Sequence, residues 1–231
     1  MTDHQRDADV GSSLRFFGIV TASVSHELNN VNSTIEQIAG LLDDHLALVA
    51  RGGEFDAQRM QDVHARIVRQ TRRSADVIAR LNRFAHTADD PRIRFELNGL
   101  LDDIVGVCER LAQGRRIGLV RAPATDEIWL TGDPFLLSQA VFAHLRAFWE
   151  SAPVGAEIAV SAAVEGDDRL VRISGPASLQ PEESADPPGE PARLACRLAA
   201  DIDDRVADDR RTITIALPAE RRRQGDAPPR G

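Results

Sequence analysis

Residues 12–49 carry valine, leucine and isoleucine at alternating three- and four-residue steps, a pattern that allows little besides a long amphipathic helix. Val20, Val24, Leu28, Val31, Ile35, Ile38 and Leu42 form one stripe when the chain advances about 100° per residue. Arg51-Gly52-Gly53 then breaks the helix. A second helix is predicted over 56–87, where Met60, Val63, Ile67, Ser74, Ile78, Leu81 and Phe84 repeat at heptad-like spacing. With so short a break the two helices form an antiparallel hairpin. A hairpin leaves half of each stripe bare, so a second copy completing a dimeric four-helix bundle is the expected cover. Packing of the stripe on the C-terminal half of the same chain is the alternative.

His26 falls opposite Val24 and Leu28 on this first helix and is expected to face solvent. Ala22, Ser23, Asn30, Ser33 and Gln37 share that outer face as small or uncharged side chains, which leave the imidazole open to a large partner. A neutral imidazole nitrogen is a competent nucleophile, and the adjacent Glu27 carboxylate can accept the other ring proton and fix the tautomer. Asn30 lies one turn further on, where its amide can position a water.

The run His26-Glu27-Leu28-Asn29-Asn30 resembles the phosphoacceptor box of two-component histidine kinases, which sits on the first helix of a dimeric four-helix bundle. The resemblance implies that His26 accepts a phosphoryl group, that Glu27 orients and assists it, and that Asn30 positions a receiver domain or an attacking water. It also implies that Ser23, Ser33 and Gln37 contact response-regulator receiver domains. The plainer reading is a solvated surface histidine among ordinary helix-face residues; Gly18, Ala22 and the heptad stripe around the box favour the first. Among the other histidines, His45 falls on the apolar stripe, His64 and His86 lie on or just past the second helix, His144 is in a later helix, and His4 is in a polar leader. None has metal-ligand spacing with Cys, Asp or Glu, so no metal is expected.

After Asp89-Asp90-Pro91 the pattern becomes mixed α/β. Strands are predicted over 92–96, 117–121, 127–130, 157–164, 169–173 and 212–217, with helices over 97–113, 134–150 and 192–203. This order, with Gly132-Asp133-Pro134 opening a helix, resembles the ATP-binding domain of histidine kinases. The whole chain is therefore expected to be α+β: a helical hairpin over 12–88, then an α/β sandwich over 92–218. Three departures from the family pattern imply a degenerate nucleotide site. Gln139-Ala-Val-Phe-Ala143-His-Leu-Arg-Ala147-Phe148 has alanine at both positions where the family carries asparagine, and a methyl group cannot ligate magnesium. Ile173-Ser-Gly175-Pro-Ala177 offers no carboxylate for an adenine amine. Pro191-Ala-Arg-Leu-Ala195 replaces the glycines that cradle phosphates. No cofactor is expected. The function so implied is histidine phosphotransfer between receiver domains, with receiver dephosphorylation as an accompanying activity. An ATP-dependent sensor kinase and a non-catalytic scaffold for a regulator are the alternatives.

Acidic and basic residues are mixed along a chain of net charge −8, which argues against a nucleic-acid partner. The 28 basic residues are all arginine, so a phosphate site here has no lysine to draw on. Cys108 and Cys196 are too few and too far apart to imply a disulfide framework and suit a reducing compartment. No apolar run approaches ~20 residues and no signal peptide is evident, so no membrane span and a cytoplasmic location are expected. Residues 1–11 and 219–231 read as a disordered leader and tail.

Overall fold

The computed structural model describes residues 3–124, 126–177 and 189–218. It divides into two compact units, 1–85 and 86–231. Unit 1 is the helical hairpin: α1 (Asp3–Ala50) and α2 (Ala57–His86). Residues 3–11 are thus helix, not a disordered leader. No proline interrupts them, and the single Gly11 costs only about 1 kcal/mol of helix propensity. Gly52, at φ 89°, supplies the left-handed backbone where α1 ends. Asp56 opens α2 by accepting the Arg59 N–H through its side chain at 2.9 Å.

Val24, Val31, Ile38 and His45 are buried at seven-residue intervals along α1, and Val63, Val77 and Phe84 follow a matching ladder on α2. A strict seven-residue ladder keeps both seams facing each other along the hairpin. Three contacts set the pairing. Phe16 meets Phe84 edge-on with ring centroids 5.4 Å apart, Glu27 meets Arg73, and His45 Nε2 accepts the Asp56 N–H at 3.3 Å. Val77, not the predicted Ile78, takes the seam position; Ile78 is rotated by one residue and is 45% exposed.

Unit 2 is a two-layer α/β sandwich. It contains β1 (Ile93–Glu96), α3 (Leu97–Gln113), β2 (Gly118–Arg121), β3 (Trp129–Gly132), α4 (Pro134–Ser151), β4 (Glu157–Glu165), β5 (Asp168–Pro176), α5 (Glu190–Leu198), β6 (Asp201–Ala207) and β7 (Arg210–Leu217). The main sheet runs β2-β4-β5-β7-β6, with β2 parallel to β4 and the other pairs antiparallel; β1 and β3 form a separate antiparallel pair. Val160 faces Ile173, and Ile173 faces Ile213, so one face of the sheet is apolar and buried. Ser161, Arg172 and Thr214 line up across the other face. Leu97, Leu101, Leu137 and Leu145 from α3 and α4 complete the core. At α4, Asp133 accepts the Leu136 N–H at 2.8 Å and Pro134 occupies the first turn, the cap read in the sequence.

The predicted last helix, 192–203, does not hold. α5 ends at Leu198, where Ala199 turns left-handed at φ 51° and the Ala200 N–H closes on the Ala195 carbonyl. The chain then runs out as β6, which returns through Asp208 and Asp209 (φ 50° and 57°) into β7. Two consecutive left-handed residues make the tight hairpin turn that matches strand twist, and aspartate tolerates that conformation better than most side chains. Cys108 is wholly buried on the inner face of α3 and burial raises its thiol pKa; Cys196 on α5 is exposed. The loop predicted before Gly189 and the tail from 219 lie outside the described residues apart from their edges. Among the described residues, no helix is long and apolar enough to cross a membrane.

Candidate functional site

α1 holds His26 exposed midway along its length. Asn30, Ser33 and Gln37 are exposed on the same helix, and the Thr34 hydroxyl donates back to the Asn30 carbonyl at 2.8 Å. Ser23, predicted to share the outer face, is instead buried at 7% exposure. The cause is the seam itself: Ser23 lies seven residues after buried Phe16 and beside buried Val24, so it turns toward α2.

Glu27 is held from across the hairpin. Arg73 on α2 donates to Glu27 Oε1 through Nη2 at 3.1 Å and Nε at 3.3 Å. The glutamate side chain is only 17% exposed while the arginine is 61% exposed, so the carboxylate is fixed and the guanidinium is wet. Solvent screening keeps the energetic worth of such a pair small, and its effect is positional. Sequence reasoning missed Arg73. The antiparallel register in which Phe16 faces Phe84 is what sets 73 opposite 27.

The remaining histidines take other roles. His45 is a buried seam residue and His144 is buried on α4, where Nδ1–H donates to the Ala140 carbonyl at 2.7 Å. Burial pushes the His144 imidazole below its ordinary pKa, against the opposing effects of that hydrogen bond and of Asp204. His64 and His86 are exposed on α2, and His86 Nδ1 lies 2.8 Å from Asp89 Oδ2. Among the described residues no group of three or more His, Cys, Asp or Glu is placed to hold a metal ion.

In unit 2, much of the 139–148 stretch of α4 is packed. Ala143, His144 and Phe148 are buried on α4, and a Cβ added at Gly175 of β5 would stand 3.1 Å from the Phe148 ring. The Arg211 guanidinium lies over that same ring at 5.8 Å and is bound by Asp204 at 2.6 and 2.9 Å. The hydrogen bond from Arg211 holds the Asp204 carboxyl below its ordinary pKa. An aromatic ring and a neutralised guanidinium occupy the space between α4 and the ends of β5 and β7.

No protein-family model and no curated protein matches the sequence. Solved structures do resemble the chain. Histidine kinases are among its structural neighbours. The Acinetobacter baumannii histidine kinase AdeS is 11% identical, with 80% of this chain and 97% of that chain covered and a TM-score of 0.46. A bacterial phosphotransferase is 13% identical over 87% of this chain and 96% of that one, at a TM-score of 0.47. The histidine kinase ThkA, solved in complex with the response regulator protein TrrA, is 14% identical over 94% of this chain and 65% of that one, also at 0.47.

Proposed function

We propose that the chain is a dimeric histidine phosphotransferase that relays phosphoryl groups between response-regulator receiver domains and takes none from ATP. The observation that carries this reading is the exposed His26 followed by a Glu27 carboxylate that Arg73 holds in place. A lone pair on the His26 imidazole attacks the phosphorus of an aspartyl phosphate; the N–P bond forms as the acyl P–O bond breaks, and the receiver's aspartate leaves as a carboxylate. The reverse steps deliver the group to a second receiver. Glu27 steadies the ring during both, and Asn30 positions the incoming receiver or, for dephosphorylation, a water. The reading is tested by mixing the protein with the source organism's receiver domains, phosphorylated beforehand by acetyl phosphate. Acid-labile, base-stable phosphate on this chain is expected, and its absence with every receiver would refute the proposal.

The packed face of α4 supports the ATP-independent half of the reading, because Ala143 and Ala147 supply no oxygen for magnesium and Phe148 fills the adjacent space. Calorimetry with magnesium and ATP is expected to give no binding heat at physiological nucleotide concentrations. A micromolar site would restore the kinase alternative.

Apolar side chains left on the hairpin surface support the dimer: Leu14 is 68% exposed, and Val10, Leu41 and Ile78 are exposed as well. Sedimentation at micromolar concentration is expected to give a mass near twice 25.2 kDa. Ile78→Asp leaves the hairpin intact because the position is exposed within one chain, yet it buries an unpaired charge in the bundle. The dimer dissociation constant should rise about 100-fold or more; an unchanged value would exclude this face from the interface.

A further inference from the structure

β6 is the edge strand of the main sheet beside β7, and all seven of its residues are exposed. Such an edge presents a row of backbone donors and acceptors to whatever strand fits it. Which residues point outward follows from the turn. A two-residue loop makes Ala207 and Arg210 the hydrogen-bonded pair that closes the hairpin, so 201, 203, 205 and 207 direct their N–H and C=O groups to β7. Ile202, Asp204 and Val206 direct theirs away from the sheet.

The side chains divide by face in the same alternation. Ile202, Asp204 and Val206 are in register with Ile215, Ile213 and Arg211, so they stand on the helix-covered side of the sheet. Ile202 and Val206 remain 38% and 66% exposed there. Asp203 and Arg205 stand on the open side, where Arg205 Nε lies 2.7 Å from Asp203 Oδ2 of the same strand.

We infer that β6 is a docking edge for β6 of a second copy of this chain, paired antiparallel about Asp204. In that register the outward groups of 202, 204 and 206 meet those of 206, 204 and 202 of the second copy, so every outward donor finds an acceptor. Ile202 lies opposite Val206 on one face and Asp203 opposite Arg205 on the other, each twice by symmetry. The two Asp204 carboxylates meet at the dyad already neutralised by their own Arg211, at 2.6 and 2.9 Å. Other registers fail. A shift by two residues in one direction sets Asp203 against Asp203 and Ile202 against Asp204; in the other it sets Arg205 against Arg205. A shift by one turns outward groups against inward ones. The strand is self-complementary at one centre only, and this choice among registers is the argument for a second copy over a foreign strand.

The proposal does not depend on phosphotransfer, and its experiment uses the full chain carrying Ile78→Asp, so that association through the hairpin does not mask a second step. Sedimentation is followed from roughly 10 µM to 1 mM. Self-association is expected in this range. Asp203→Arg alone, or Arg205→Asp alone, places like charges opposite each other twice and should move the midpoint upward about tenfold or more, while the double reversal restores it. Both side chains are at least half exposed, so circular dichroism should not change. Hydrogen exchange read in parallel should show the amides of Ile202, Asp204 and Val206 slowing as concentration rises. Absence of association at the highest concentration, single reversals without effect, failure of the double reversal to restore it, or protection arising elsewhere than β6 would each overturn the proposal.

Discussion

Replacing His26 with alanine is expected to abolish phosphohistidine formation on this chain, a loss of at least about 1,000-fold, because the nucleophile itself is gone and no general catalyst can substitute for it. The residue is exposed on α1, so stability should change by no more than about 0.5 kcal/mol and the hairpin should fold as before. Lost activity then cannot be assigned to unfolding. Asn30→Ala should behave differently, sparing transfer to His26 while slowing any loss of phosphate from a receiver, since it removes an amide and leaves the nucleophile. The measurement is radiolabelled phosphate on each protein over time. Transfer between two receivers by the His26→Ala protein would overturn the assignment and direct attention to His64 or His86, the exposed histidines of α2.

Glu96→Ala should produce the largest loss of stability among single surface-adjacent changes. Glu96 Oε1 accepts the N–H groups of Asn98 and Ile128, each at 3.0 Å, and Oε2 accepts that of Gly99 at 2.6 Å. One carboxylate thus caps α3 and ties it to the entry of β3. Asn98 extends the tie by donating to the Asp126 carbonyl at 2.9 Å. Losing a charged cap that accepts three backbone N–H groups should cost about 2–3 kcal/mol, which lowers the melting temperature of unit 2 by roughly 10 °C. Burial alone would raise the Glu96 pKa, but the hydrogen bonds from Ile128, Gly99 and Asn98 outweigh it and hold the carboxyl below its ordinary value. A depressed folded value means that the unfolded chain binds the proton more readily. The contribution of Glu96 is therefore complete above the ordinary glutamate value and disappears as pH falls through the lower folded value. Glu96→Ala should remove that acid-dependent part of the stability curve, and a melting profile whose difference from the unmodified protein stays constant down to strong acid would contradict the role assigned to it.

Much of this architecture was legible because local signals agreed with tertiary packing. α3 occupies 97–113 as predicted, since an acceptor at 96, an amphipathic run and a tight turn after 113 point to the same ends. Asp133 and Pro134 announced α4 in the same way. Where the reading failed, neighbours in space decided the outcome. Ser23 and Ile78 changed sides because the seam lies where two helices meet and not along the stripe of one, and one residue of rotation moves a side chain into it or out of it. β6 was missed because its turns carry no glycine: Ala199, Asp208 and Asp209 all adopt left-handed backbone without the residue that usually signals it. At the site, His26, Asn30, Ser33 and Gln37 could be placed on the exposed surface from periodicity alone. Arg73 could not, because contact across a hairpin depends on the register between helices, which no local pattern of α2 records.

The two cysteines differ in a way that has a practical outcome. With Cys108 sealed in the core and its thiolate disfavoured by burial, maleimide chemistry at neutral pH has a single target, Cys196. α5 packs beside β6, so a fluorophore attached there would sit next to the sheet edge without any engineered residue. The molecule arrives with its own labelling handle, and spectroscopic readings of its assembly can be made on the natural sequence.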